Sequence, residues 1–148
     1  MPVLLVVHHT TSPALQALLE AARAGVALVD GVDVVLRPAL TAGAADLLAA
    51  DGVLLGTPAN IGYMSGALKH FFDTVYYPCL EATVGTPYAL YVHGQSDTGG
   101  AVRSVEQVVS ALRWKPVAPP LTIVGAPSRE QLAACTELGG TLAATLAP

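Results

Sequence analysis

The sequence predicts one α/β domain, built as a three-layer, doubly wound parallel sheet of five strands. Three observations lead to this prediction. Short, continuously apolar runs with β-branched residues alternate along the chain with longer segments whose apolar residues have helical spacing. Such continuously apolar strands are typical of parallel sheets, which are covered on both faces. The chain has 148 residues, 53% of them hydrophobic and 12% charged, which suits a single ordered domain with a large core.

The first two strands and helices lie in the first third of the chain. Residues 3–7 form the predicted first strand, and a hydroxyl-rich loop follows it. Ser12 is placed to cap the first helix, with a proline at the first helical position, and Gly25 is predicted to end that helix. Residues 32–36 form the predicted second strand, and a short Ala- and Leu-rich helix covers about residues 42–50.

The middle of the chain contains the next two strands. Residues 53–55 form the third strand, and a loop leads from it to a helix that runs from Ser65 to about Tyr76. Pro78 is predicted to end this helix. Residues 88–92 form the fourth strand. The helix behind it is marked by apolar residues at helical spacing: Val102, Val105, Val109 and Leu112.

The fifth strand lies in a proline-rich stretch. Three prolines interrupt residues 114–124, so that only residues 121–124 form a predicted strand. Because proline cannot donate to a sheet ladder, this strand is placed at an edge. Ser128 is predicted to cap the last helix. Right-handed crossovers between these strands favour the strand order 2-1-3-4-5.

Three polar loops meet at one end of a sheet with this strand order. They follow strands one, three and four, and they are the most glycine-rich or hydroxyl-rich loops in the chain. Ligands of open α/β sheets bind beyond the carboxyl ends of the strands, where the strand order reverses. We therefore expect the functional site at these three loops.

The first loop predicts an anion site. Thr10, Thr11 and Ser12 place three hydroxyls ahead of a helix N-terminus, whose free N–H groups and dipole favour a phosphate. The alternative is that these residues only cap the helix, since capping alone explains Ser12. His8 and His9 do not predict a metal site, because adjacent residues at a strand end point in opposite directions. One of them is expected to face the loop and the other to pack.

Residues 56–73, with the sequence GTPANIGYMSGALKHFFD, resemble the third-strand signature of flavodoxin-like FMN proteins. The resemblance is strongest to the NAD(P)H-dependent FMN and quinone reductases of the tryptophan-repressor-binding-protein type. It implies a flavodoxin-like fold, bound FMN, NAD(P)H as electron donor, and a small acceptor such as a quinone or a flavin. It also implies cofactor-binding residues in all three loops: Thr10, Thr11, Ser12, Ala14 and Leu15; Thr57, Pro58, Ala59, Asn60, Ile61 and Gly62; His93, Gly94, Gln95, Asp97, Gly99 and Gly100.

In the family that the chain resembles, the second loop borders the flavin ring and the third loop covers its pyrimidine edge. Ile61 or Tyr63 is then expected to cover a ring face, and the alternative for Tyr63 is a partly buried surface aromatic. His93 is the candidate catalytic residue, as a proton donor to reduced flavin or quinone, because histidine titrates near neutrality. A structural role is the alternative for His93.

The first loop departs from the flavodoxin phosphate pattern. Pro13, Ala14 and Leu15 stand where that pattern has Gly-Asn-Thr, which removes a hydroxyl and one N–H donor. Two hypotheses therefore remain open. The chain is either an FMN-dependent oxidoreductase or a non-enzymatic flavodoxin-like electron carrier or scaffold with weakened or lost FMN binding.

Charge and composition limit the partners. A formal net charge of −4 gives no basic surface for nucleic acid. Electron-carrier flavodoxins, which dock basic proteins through an acidic surface, carry a larger negative charge than this chain. This favours a small-molecule electron acceptor. The first apolar run is too short for a signal peptide and no stretch is long enough to span a membrane, so a cytoplasmic location is expected. Cys79 and Cys135 lack the spacing of metal ligands. A homo-dimer that buries Tyr76 and Tyr77 is also predicted.

Overall fold

The computed structural model describes residues 1–148 and contains five helices and a seven-stranded sheet. The strands are β1 (Val3–His8), β2 (Asp33–Pro38), β3 (Gly52–Asn60), β4 (Tyr63–Met64), β5 (Pro87–Gly94), β6 (Lys115–Pro116) and β7 (Leu121–Val124). The helices are α1 (Pro13–Ala27), α2 (Ala44–Leu48), α3 (Gly66–Cys79), α4 (Gly99–Ala111) and α5 (Arg129–Leu146). None of these helices has both the length and the apolar character needed to cross a membrane.

The sheet confirms the predicted strand order. Its main strands run parallel in the order β2-β1-β3-β5, and the outer side of β5 pairs first with β6 and then with β7. β6 and β7 together occupy the place of the predicted fifth strand. Pro119 and Pro120 lie between them, and proline has no N–H to donate to β5. The fold is flavodoxin-like, with one edge strand divided into two short pieces.

Helices cover both faces of the sheet. Along β1, Leu4 and Val6 pack in the layer that contains α1 and α5, whereas Leu5 and Val7 pack in the layer that contains α2, α3 and α4. All four side chains are fully buried. Successive side chains of a strand point to opposite faces, so a strand covered on both faces must be apolar at every position.

Two helices run past the residues predicted to end them. α1 continues to Ala27. Gly25 does not end the helix but lets α5 pack closely against it, since a Cβ on Gly25 would lie 1.8 Å from the carbonyl oxygen of Thr136. α3 continues through Pro78 to Cys79. A proline this close to the helix end removes a single hydrogen bond and leaves the preceding turns intact.

The loop expected after the third strand is a hairpin. β3 extends to Asn60 and pairs antiparallel with the short strand β4. Ile61 and Gly62 form the two-residue turn, with φ of 49° and 70°. Positive φ at both turn residues gives the twist that a tight hairpin needs. The turn was missed because isoleucine lacks the preference of asparagine or glycine for this conformation.

The core contains one buried hydroxyl without a hydrogen-bond partner, that of Tyr91 on β5. Tyr91 is fully buried in the layer of α1 and α5, and this burial raises the pKa of its hydroxyl. The ring lies over Gly56 of β3, where a Cβ would come within 2.1 Å of a ring atom. The glycine in β3 thus makes room for this ring.

We expect Tyr91→Phe to raise the free energy of unfolding by about 1 kcal/mol, because the variant no longer buries an unpaired hydroxyl. Equilibrium unfolding in urea, followed by circular dichroism, measures the change. Tyr88→Phe is the matched control, since Tyr88 lies on the same strand, faces the other side of the sheet and retains contact with solvent. The control should change stability by less than about 0.5 kcal/mol. Destabilisation of Tyr91→Phe would show that the hydroxyl makes a favourable interaction.

Candidate functional site

Ser12 fixes the first loop to the start of α1. Its side-chain oxygen accepts a hydrogen bond from the N–H of Leu15 at 3.2 Å, and its carbonyl accepts one from the N–H of Gln16 at 3.0 Å. The side chain of Leu15 is in the core and only 1% exposed. Leu15 therefore offers no free group to a ligand, although the resemblance includes it among the cofactor-binding residues.

Four backbone N–H groups at the first loop are free. Those of Thr10, Thr11, Ser12 and Ala14 donate to no acceptor within the chain. The hydroxyl of Thr11 adds a donor, the hydroxyl of Thr10 lies 2.7 Å from Nδ1 of His8, and the loop contains no carboxylate. Free N–H groups at the positive end of a helix dipole attract anions. The first loop is thus equipped to bind an anion.

Two histidines precede this loop. Nδ1 of His8 lies 2.7 Å from Oγ1 of Thr10, which is a hydrogen-bond distance. Burial lowers the pKa of His8, and the positive charge of Arg23 and that of His9 lower it further. Nδ1 of His9 is buried and has no hydrogen-bond partner. His8 therefore contacts the loop, as expected of one histidine of the pair, and His9 retains an unsatisfied polar atom.

The second loop is the tip of the β3–β4 hairpin. Thr57 anchors the hairpin base, since its hydroxyl donates to the carbonyl of Pro58 at 2.8 Å and accepts from the N–H of Ser65 at 3.1 Å. Thr57 and Pro58 are buried, Ala59 is half-buried, and residues 60–62 are exposed. Of the residues predicted in this loop, those from Ala59 onwards are open to a ligand.

The hairpin packs on the start of α4. Oγ of Ser104 accepts a hydrogen bond from the N–H of Met64 at 3.0 Å. Gly100 lies so close to the turn that a Cβ on it would be 2.0 Å from the carbonyl oxygen of Gly62. The second and third loops are therefore in direct contact. Ser104 was not among the predicted residues, because a serine inside a helix carries no local sign of a partner 40 residues away in the chain.

The third loop joins β5 to α4. It leaves the strand at Gly94 and enters the helix at Gly99. Oδ1 of Asp97 accepts a hydrogen bond from the N–H of Gly99 at 2.8 Å, which fixes the turn before the helix. Residues 95–97 are exposed. The loop thus presents exposed backbone next to the hairpin tip.

His93 lies inside the protein, at the end of β5. Its side chain is 4% exposed, and its Nε2 is 2.8 Å from the carbonyl oxygen of Gly125, in the loop after β7. This contact ties the third loop to the edge of the sheet. The geometry favours the structural alternative for His93, and proton donation by His93 stays a prediction.

A large surface groove lies away from the three loops. It has a volume of about 580 Å³ and lies between the C-terminal half of α1 and β2. Glu20, Arg23 and Asp30 are among the residues that line it, and no residue of the three loops does. The candidate site is therefore defined by free donors and exposed backbone, not by an enclosed volume.

Several solved structures share this fold. A flavodoxin from the domain Archaea has a TM-score of 0.81 and 19% identity, covering 97% of this chain and 98% of that chain. A WrbA-like flavodoxin from Agrobacterium tumefaciens has a TM-score of 0.77 and 16% identity, covering 99% and 98%. The apo form of an NADH:FMN oxidoreductase, EMOB, has a TM-score of 0.81 and 14% identity, covering 99% and 91%. At these identities the likeness establishes the fold alone.

A family comparison adds to the structural likeness. The NADPH-dependent FMN reductase family matches residues 11–127, which is more than half of the chain. The matched residues include the hairpin tip and the third loop, together with the start of α1. No curated protein matches the chain in sequence. From the family match and the fold together, the chain belongs to the NADPH-dependent FMN reductase family.

Proposed function

We propose that the chain binds FMN at the three-loop site and uses it to pass electrons from NADH or NADPH to a small acceptor, such as a quinone or a flavin. One observation carries this proposal. The start of α1 presents four unpaired N–H groups and the hydroxyl of Thr11 beyond the end of β1; β1 pairs with β3, which leads to the exposed hairpin tip that contacts the third loop. A phosphate group with a flat, partly polar ring fits such a combination.

The first loop fits the phosphate end of FMN. It offers N–H and O–H donors and has no carboxylate that would repel an anion. The buried Nδ1 of His9 is unsatisfied within the chain, and a buried polar atom of this kind normally has a partner from solvent or ligand. In this proposal Thr10, Thr11, Ser12 and the N–H of Ala14 hold the phosphate.

The second and third loops fit the ring end. Residues 60–62 and residues 95–97 are exposed and present backbone donors and acceptors, and Gly62 at the hairpin tip allows close approach to a flat ligand. The side chain of Ile61 is fully exposed and that of Tyr63 is 42% exposed. The polar ring edge would bind backbone groups, and a ring face would pack on Ile61 or Tyr63.

FMN held by these loops would supply the redox chemistry, hydride uptake from NAD(P)H and electron transfer to an acceptor. The residues of the chain have other tasks. The first loop holds the phosphate, and the hairpin and third loop orient the ring. His93 stabilises the third loop through Gly125, and this function requires no side chain to act as an acid or a base.

The charge of the chain supports a small electron acceptor. The formal net charge is −4, from 11 acidic and 7 basic residues. A field of this size steers a large basic protein partner only weakly. A quinone or a free flavin needs access to the ring and no such steering.

The alternative function is that of a non-enzymatic electron carrier or scaffold with weakened FMN binding. A specific observation favours it. Pro13 has no N–H, and the N–H of Leu15 is already bound to the side chain of Ser12. The first loop therefore has fewer donors than one with glycine and threonine at these places, which weakens the phosphate site without affecting the ring site.

Titration of the protein with FMN, followed by quenching of flavin fluorescence, tests the proposed function. Riboflavin, which lacks the phosphate, is the control ligand. Tight binding of FMN and weaker binding of riboflavin would support the site, and oxidation of NADH or NADPH by the loaded protein with a quinone would support the activity. If neither flavin binds, the oxidoreductase function is excluded and the scaffold alternative remains.

We further propose a homo-dimer through the surface around Tyr77. This side chain is 82% exposed and packs edge-on against Tyr76, with ring centroids 5.1 Å apart. Val84, which is 54% exposed, lines the same groove as Tyr76. A contiguous exposed apolar patch marks an interaction surface on a protein, and an exposed tyrosine beside an apolar groove suits one.

We expect Tyr77→Asp to convert this dimer to a monomer, because two buried carboxylates would face each other across a two-fold interface. Multi-angle light scattering on a sizing column measures the mass. Tyr77→Phe is the control and should leave the dimer intact, since it keeps the ring. A wild-type mass equal to that of one chain, or a Tyr77→Asp mass equal to the dimeric wild type, would contradict the proposed interface.

A further inference from the structure

Unsatisfied polar atoms are concentrated behind the first loop. Two buried side-chain N or O atoms in the chain lack a hydrogen bond, Nδ1 of His9 and the hydroxyl of Tyr91. His9 directly precedes the loop. Tyr91 lies in the same row of the sheet as His8, because Gly56 is the register partner of both. His8 is the member of this group that contacts the loop, through its hydrogen bond to Thr10.

The direction of the His8–Thr10 hydrogen bond decides what Thr10 can offer a ligand. A threonine hydroxyl has one proton. If Thr10 donates this proton to Nδ1 of His8, 2.7 Å away, none is left for an anion. If Nδ1 carries a proton and donates to Oγ1, the hydroxyl proton of Thr10 is free for the ligand. A protonated imidazole has a proton on both nitrogens and always gives the second arrangement.

We propose that His8 couples phosphate binding at the first loop to the uptake of one proton. When His8 is protonated, Thr10 becomes a donor to the phosphate and a positive charge lies behind it. The inference rests on the proposed function, since the ligand is the phosphomonoester group of FMN. His8 is a positioning residue, because it acts on the phosphate through Thr10.

The surroundings of His8 favour its neutral form when no anion is bound. Burial is the largest cause of its lowered pKa, and Arg23 on α1 and the neighbouring His9 add positive charge that lowers it further. No carboxylate is among the causes. No charged group of the chain stabilises the protonated form, and an incoming dianion would be its first counter-charge.

Apart from His9, the titratable groups in the buried layer on this side of the sheet ionise well above neutral pH. Tyr91 on β5 and Cys135 on α5 belong to the same buried layer, and burial raises the pKa of both, to about 12 for Cys135. The register partners of His8 on β2 and β3 are Pro38 and Gly56, which carry no charge. A proton taken up behind the first loop near neutral pH thus goes to a histidine.

The sign of the pH dependence follows from these surroundings. An opposite charge nearby raises the pKa of an imidazole by roughly 1–3 units. The bound state then holds more protons than the free state, so the affinity for FMN falls as the pH rises through the bound-state pKa of His8. One proton limits this fall to about tenfold per pH unit.

Isothermal titration calorimetry of the full chain with FMN counts the protons. Measurements at about pH 7.5 in buffers of different ionisation enthalpy suit the purpose, because the phosphate of free FMN is then already a dianion. We expect uptake of about half a proton or more per FMN and none per riboflavin. Between about pH 6.5 and 8.5 the affinity for FMN should fall about tenfold while that for riboflavin stays constant.

Two variants locate the proton. His8→Asn keeps a neutral donor near the place of Nδ1, so FMN should still bind, without proton uptake and with an affinity that hardly varies with pH. His9→Asn is the matched control and should keep the proton uptake, even where its affinity for FMN is lower. Uptake that is lost in His9→Asn and retained in His8→Asn would overturn the proposal.

The remaining outcomes separate this inference from the proposed function. Binding of FMN without proton uptake overturns the inference and leaves the function standing. Failure of both FMN and riboflavin to bind overturns both. Ribose 5-phosphate is a phosphomonoester without a flavin, and an affinity for it equal to that for FMN would overturn the assignment to a flavin phosphate. Proton uptake with FMN that disappears in His8→Asn supports the proposal.

Discussion

Gly139→Ala should lower the free energy of unfolding by about 3 kcal/mol, the upper part of the range for overpacked cores. A Cβ on Gly139 would lie 2.1 Å from the carbonyl oxygen and 2.9 Å from the carbonyl carbon of Ala22. These are backbone atoms of α1, which cannot rotate aside, so α1 and α5 would have to move apart. Unfolding in urea measures the loss, and the melting temperature should fall by roughly 6–12 °C.

Gly66→Ala is the matched control for this prediction. Gly66 is the first residue of α3, is exposed, and has no atom within 4 Å of an added Cβ. We expect this variant to gain up to about 1 kcal/mol, because alanine reduces the entropy of the unfolded chain. Equal responses of the two variants would show that α1 and α5 are not in such close contact.

Gly100→Ala should weaken the binding of FMN and of riboflavin by the same factor, about tenfold, the equivalent of one lost hydrogen bond of ~1.4 kcal/mol. A Cβ on Gly100 would lie 2.0 Å from the carbonyl oxygen of Gly62, so the hairpin must move away from α4. That movement also strains the hydrogen bond between Ser104 and Met64. The ring site would open while the phosphate loop stays intact. Fluorescence titration with the two flavins measures the effect.

Gly66→Ala is the control for Gly100→Ala. Gly66 lies outside the three loops, and an added Cβ on it has no atom within 4 Å. The hairpin need not move, and flavin affinity should change by less than about threefold. Circular dichroism confirms that both variants are folded. Unchanged riboflavin affinity in Gly100→Ala would contradict the placement of the ring between the two loops.

The strands were predictable because burial leaves a local pattern. Residues 3–7 are apolar at every position, and the structure buries β1 on both faces. The ends of two helices were not predictable in this way. Gly25 has the usual sequence context of a helix end, yet its role is set by Thr136 of α5, which is far away in the chain. A local pattern records whether a residue is buried, not which segment covers it.

The position of the candidate site followed from the strand order. Loops after strands one, three and four were expected to converge, and the second and third are in direct contact through Gly62 and Gly100. The hairpin was missed because Ile61 does not have the sequence preference of its turn. The support from Ser104 was missed because nothing in a helical segment identifies a partner on another element.

Fold class, strand order and the location of the polar loops follow from the order and spacing of apolar residues. These can be read locally, because whether a position is buried or exposed leaves a pattern in the neighbouring sequence. Which polar groups remain free for a ligand is decided only when the elements pack. The hydroxyl of Thr57 and Nε2 of His93 are hydrogen-bonded within the protein, Nε2 to a carbonyl 32 residues away, while the N–H groups around Thr10 stay free. A donor forms a hydrogen bond only where packing brings an acceptor within about 3 Å of it. For partners far apart in the chain, the tertiary structure sets that distance.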